Sequence, residues 1–135
     1  MNSVKNSINP IESFIKDKLS GLEGKDHEDE PLNNRPIIGI ISQPYNDTID
    51  NYIMAAYTKF VEQAGARVIP IFTSASDEEL KDLVGKINGV LYPGGSTPLT
   101  NEDGSLTEFS QKGKVILDKA KELNDQGVHF PVWAV

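Results

Sequence analysis

Ile37-Ile38-Gly39-Ile40-Ile41 is an unbroken, mostly β-branched apolar run with no polar residue alternating through it. A strand wetted on one face would alternate, so a run of this kind must be covered on both faces, as in a parallel sheet with helices above and below. Gly89-Val90-Leu91-Tyr92 repeats the pattern, and Arg67-Val68-Ile69-Pro70-Ile71-Phe72 and Phe130-Pro131-Val132-Trp133-Ala134-Val135 supply two further strand candidates. Pro70 has no N–H to give a ladder, which puts the second strand at or near a sheet edge.

The intervening segments carry helical spacing. The first predicts a helix from about Asp50 to Ala64, with Ile53, Ala56, Tyr57, Phe60 and Ala64 on its inward face and Gly65 closing it. The next opens on a capping box, Ser76 to Glu79, with Leu80, Leu83 and Val84 inward. A second capping box, Ser105 to Glu108, predicts a helix to about Asp125 with Phe109, Gly113, Ile116, Leu117, Ala120 and Leu123 inward, ended by Gly127. Strands alternating with helices over short connections specify a doubly wound α/β domain with a parallel sheet and right-handed crossovers.

Residues 1–34 have a different texture. Asn9-Pro10-Ile11-Glu12 reads as a helix start and Gly21 as its end, with Ile11, Phe14, Ile15 and Leu19 on one face. An acidic linker follows to Asn34, and His27 within it reads as solvated. The expected division is therefore 1–34, helix and linker, and 35–135, the α/β domain. At 135 residues one core is expected, and a formal charge of −7 leaves no basic stripe for nucleic acid or an acidic membrane surface. No stretch approaches the ~18 apolar residues of a membrane span, and Met1 to Asn6 lack a signal-peptide core. The Asn46-Asp47-Thr48 sequon would accept a glycan only in a secreted protein. With no cysteine there is no disulfide, no thiolate ligand and no cysteine nucleophile, and two histidines among scattered carboxylates show no metal-ligand spacing.

The candidate site is the turn after the third strand, Pro93-Gly94-Gly95-Ser96. Open α/β sheets place function at the carboxyl ends of their strands. Two residues without Cβ can take positive φ and let a ligand oxygen approach their N–H groups, although the same pair serves equally as a plain βα turn. Tyr52, at the start of the first predicted helix, falls on the same edge; a packing role is the alternative. Ser96 has no base to activate it, since His129 precedes the fourth strand and so lies ~17–20 Å away at the amino edge.

Taken together, Arg35 to Ile40, Tyr52-Ile53 with Ala55-Ala56-Tyr57, Ala64 to Pro70, Ile87 to Ser96, and Phe130-Pro131-Val132-Trp133 resemble, in this order and spacing, the γ-glutamyl hydrolase family of the class I glutamine amidotransferase-like group. The resemblance runs from Arg35 to Val135. It implies a flavodoxin-like sheet, truncated here after the fourth strand, and a cysteine hydrolase that removes γ-linked glutamates from folate poly-γ-glutamate with Cys, His and Glu. It implies no cofactor and no metal, and a small-molecule partner. In that family the segment like Phe130 to Trp133 continues through two small residues to the nucleophile, which puts Cys just beyond Val135, with His and Glu later. The chain alone is then expected to be inactive. The resemblance assigns oxyanion binding to the backbone of Gly94 and Gly95 and substrate contact to Tyr52 and Ser96. The family often follows the glycines with Ser and an Asp, where this chain has Ser96-Thr97-Pro98-Leu99. Members are often lysosomal, vacuolar or secreted. Two other readings stay open: a non-catalytic module of the same fold that binds glutamate or another anion, and a nucleotide or phosphate binder using Gly94-Gly95-Ser96. An uncovered fourth strand predicts aggregation or a homodimer.

Overall fold

The computed structural model describes residues 32–45 and 51–135. The expected amino-terminal helix, the acidic linker with His27 up to residue 31, the Asn46 sequon and the expected helix start at Asp50 lie outside the described residues. Strand β1 spans Ile37–Ile41, and its burial rises along its length until Ile40 and Ile41 have no exposure at all. It is followed by α1 (Ala55–Gln63), β2 (Arg67–Ile71), α2 (Asp77–Val84), β3 (Gly89–Tyr92), α3 (Glu108–Asp125) and β4 (Val132–Ala134). The strands form one sheet in the order β2-β1-β3-β4, and every pairing is parallel.

Alternation along β1 sorts the core into two layers. Ile41 joins Ile71, Leu80, Val84, Val90, Ile116 and Phe130 under α2 and α3, whereas Ile40 joins Val61 and Leu91 under α1. Helices thus cover both faces, as unalternated strands require. Pro70 sits on the outer strand as expected. Arg67 donates to Pro36 O and Ile71 O accepts from Ser42, so the odd residues of β2 face β1 and the missing N–H of Pro70 points away from the ladder.

The helices depart from expectation in two places. α1 begins at Ala55, not Asp50, and Tyr52 lies ahead of it, in an antiparallel bridge with Gln43. The inward face is correspondingly rotated. Val61 is the buried residue, Tyr57 and Ile53 pack beside it, and Ala56, Phe60 and Ala64 are exposed. Phe60 instead meets the ring of Trp133 edge-on, centroids 5.8 Å apart. The Ser105 to Glu108 capping box does not form either. Thr107 caps α3 by accepting from Ser110 N, while Asp103 captures both the N–H and the hydroxyl of Ser105 at 2.9 and 2.6 Å. By contrast, the Ser76 to Glu79 box is complete on both sides. α3 turns Gly113, Ile116 and Ala120 to the core, and Gly127 follows its end at φ +86°. β4 is shorter than the apolar run that encodes it, because Phe130 leaves the ladder to enter the core; the amide of Asn124 bonds its N–H and C=O at 3.1 and 2.8 Å.

Candidate active site

β1 and β3 are sheet neighbours, but β1 connects outward to β2 and β3 connects in the other direction to β4. The chain therefore leaves these two strands to opposite sides, which opens a crevice at their carboxyl ends. On the β1 side, Ser42 and Gln43 are buried. The Ser42 hydroxyl lies 3.0 Å from both Asn51 Oδ1 and Ile71 O, and Thr73 donates to the same Asn51 oxygen at 3.1 Å. This network ties the loops after β1 and β2 together.

The β3 side is the Pro93-Gly94-Gly95-Ser96 turn. Only Gly95 of the two glycines takes positive φ, +146°, a conformation that suits a residue without Cβ. Gly94 is needed for a different reason: a Cβ there would lie 3.0 Å from Val135 O and 3.3 Å from the Tyr57 hydroxyl. Val135 N–H also donates to Tyr92 O at 3.1 Å, so the end of β4 is fastened directly beside the glycine turn. Tyr92 anchors that turn from below. Its hydroxyl donates to Gly113 O at 2.7 Å, and burial pushes its pKa well above the usual tyrosine range.

A crevice of 790 Å³ opens over this edge, bordered by Tyr45, Tyr52, Asn51, Thr73, Ser96 and Glu108. Tyr52 and Ser96 thus share it, while Gly94 and Gly95 stand against Val135 and Gln43. Tyr52 is half-buried, pairs through its backbone with Gln43 at 2.9 Å in both directions, and meets the Tyr45 ring edge-on at 5.1 Å. Two residues that the sequence did not single out touch the turn. Tyr57, expected only as a packing residue, accepts the Gly94 N–H on its hydroxyl at 3.0 Å, and Gln43 donates to Thr97 at 3.1 Å. The polar pair Ser42-Gln43 that follows a wholly apolar strand was the available signal for Gln43. His129 is exposed on the approach to β4, at the far end of the sheet from Ser96. Among the described residues no three His, Asp or Glu side chains converge as a metal site would need.

The model of the family described as Peptidase C26 matches residues 36–113. The chain is 41% identical over 107 residues to γ-glutamyl hydrolase B of Dictyostelium discoideum, covering 76% of this chain and 30% of that protein. It is 44% identical over 103 residues to the γ-glutamyl hydrolase of Mus musculus, covering 73% and 31%. To γ-glutamyl hydrolase 1 of Arabidopsis thaliana it is 36% identical over 137 aligned positions, covering 92% and 37%. It thus spans about a third of the length of these relatives. The matched segment holds β1, β2, β3 and the glycine turn, the parts from which the crevice is built, and by that match the chain belongs to the peptidase C26 family of γ-glutamyl hydrolases.

Proposed function

We propose that this chain is the amino-terminal part of a γ-glutamyl hydrolase that cleaves γ-linked glutamates from folate poly-γ-glutamate, with a nucleophilic Cys following Val135 and His and Glu further on. The observation that carries this reading is the seat of Val135, close enough to Gly94 that a single methyl group would meet its carbonyl at 3.0 Å. A nucleophile leaving β4 at that point stands beside the Gly94-Gly95 backbone. Attack of a thiolate on the amide carbonyl moves an electron pair onto oxygen, and an N–H already aimed at that oxygen stabilises the transition state by ~3–4 kcal/mol. Gly94 has given its N–H to Tyr57, which favours Gly95 as the donor. Tyr52 and Ser96 border the crevice in which the glutamyl chain would lie.

The test is glutamate release from folate poly-γ-glutamate. The 135-residue chain should release none, because its residues supply donors and contacts but no activated nucleophile. Extension beyond Val135 with the corresponding portion of a curated relative should restore release, and replacing the first cysteine of that extension by alanine should abolish it. Release by the unextended chain would send the assignment back to Ser96. A second reading, a binding module without turnover, is favoured by the polar lining of the crevice, Asn51, Thr73 and Ser96. Saturable binding of a glutamate-tailed folate by both proteins, with release by neither, would select it.

A further inference from the structure

Gln43 is 2% exposed, an uncommon setting for a primary amide, and the chemistry above makes no use of it. Its Nε2 donates to Thr97 Oγ1 at 3.1 Å and lies 3.5 Å from Gly94 O. The Tyr57 hydroxyl takes the Gly94 N–H at 3.0 Å and stands 3.4 Å from the same carbonyl oxygen. Donors from two separate elements therefore converge on one carbonyl. The 3.4 and 3.5 Å contacts are long and individually weak, but the 3.0 and 3.1 Å bonds anchor the residues on either side, Gly94 and Thr97. In a trans peptide the C=O and the following N–H point in opposite directions, and no cis peptide occurs among the described residues. A Gly94 carbonyl turned toward Gln43 and Tyr57 consequently turns the Gly95 N–H away from both.

We infer that Gln43, together with Tyr57, is a positioning residue that clamps the Gly94-Gly95 peptide in one orientation and so presents the Gly95 N–H as a preformed donor to an oxyanion. The clamp is needed because neither glycine has a side chain to hinder the peptide from turning over. The inference rests on the hydrolase reading for its role in turnover, but the orientation of the peptide does not depend on it.

Gln43→Glu preserves shape and replaces the amide donors with a carboxylate that repels the Gly94 carbonyl. In the full chain labelled with [15N]glycine, the Gly94 amide should exchange with solvent at least ~10-fold more slowly than Gly95, being bonded to Tyr57. Gln43→Glu should displace the Gly95 amide resonance, whereas Gln63→Glu on the exposed side of α1 should leave it in place. In the protein extended beyond Val135, Gln43→Glu should lower kcat ~10- to 100-fold with KM within about twofold, the pattern of a lost transition-state donor. Thr97→Val, which removes the anchor of Gln43 without burying a charge, should change both readouts in the same direction and by less; it decides the matter should Gln43→Glu not fold. Unmoved Gly95 resonances would overturn the clamp whatever the activity. Moved resonances with unchanged kcat would overturn its role in turnover. An extended wild type that releases no glutamate would sink the hydrolase reading, and the amide resonances would still decide the clamp.

Discussion

Gly39 occupies the middle of β1 and faces the layer under α2 and α3, where a Cβ would collide with the Cδ1 atoms of Ile71 and Ile87. Gly39→Ala should therefore cost ~1–3 kcal/mol, the usual penalty of overpacking a filled core, measured by urea denaturation with an unchanged m-value. The two tyrosines nearest the site differ in what they touch. Tyr52 precedes α1 and meets the site through its position in the crevice, whereas Tyr57 touches the glycine turn through its hydroxyl. Tyr57→Phe leaves the half-buried Gly94 N–H without its partner and should lower stability by ~1–3 kcal/mol; in the extended protein it should impair turnover more than Tyr52→Phe. Equal turnover of the two variants would remove Tyr57 from the site. The Gly-Gly pair was legible as a turn because residues without Cβ after a buried strand admit the positive φ that Gly95 takes. Gln43 and Tyr57 were not, since they meet Gly94 across 51 and 37 positions of chain, and only the closed sheet brings them together.

All four described strands were readable as elements, β1 and β3 because an apolar run without alternation has one stable environment, β2 and β4 from their β-branched and aromatic content. Helix faces were less so. Counting Ile53 into α1 rotates the helical wheel and turns Phe60 inward on paper, while the bridge between Gln43 and Tyr52 delays the helix to Ala55 and leaves Val61 as its core residue. Similarly, Ser105 satisfies the spacing of a cap, but Asp103 holds it, and Thr107 takes the role. Thr107→Ala should consequently cost ~1 kcal/mol of stability, and Ser105→Ala less. The joint between β3 and α3 should be sensitive to alkali. The folded-state pKa of Tyr92 is raised from its ordinary 10.0 by burial, so the neutral phenol stabilises the fold fully below pH 10.0, and that contribution is lost as pH rises beyond it. Tyr92→Phe should flatten this alkaline decline in melting temperature; an unchanged slope would assign the decline to other groups.

At the scale of the molecule the sheet is asymmetric. β2 ends it with Pro70 facing out, while β4 leaves Val132, Trp133 and Val135 exposed at the opposite edge. An uncovered apolar edge pairs with other chains, so sedimentation of the 135-residue chain should show concentration-dependent association, and a strict monomer would show that this edge is covered. Beside that edge, Pro36, Ile38, Phe60, Val61, Ala64 and Trp133 border an apolar groove of 340 Å³. Trp133, the chain's sole tryptophan, is 59% exposed there, against the ring of Phe60 and on the strand that ends beside the glycine turn. The protein thereby carries its own optical gauge: intrinsic fluorescence excited in the red edge of the indole band reports a single position, long in wavelength while that groove is wet and shifting blue when polypeptide closes over it.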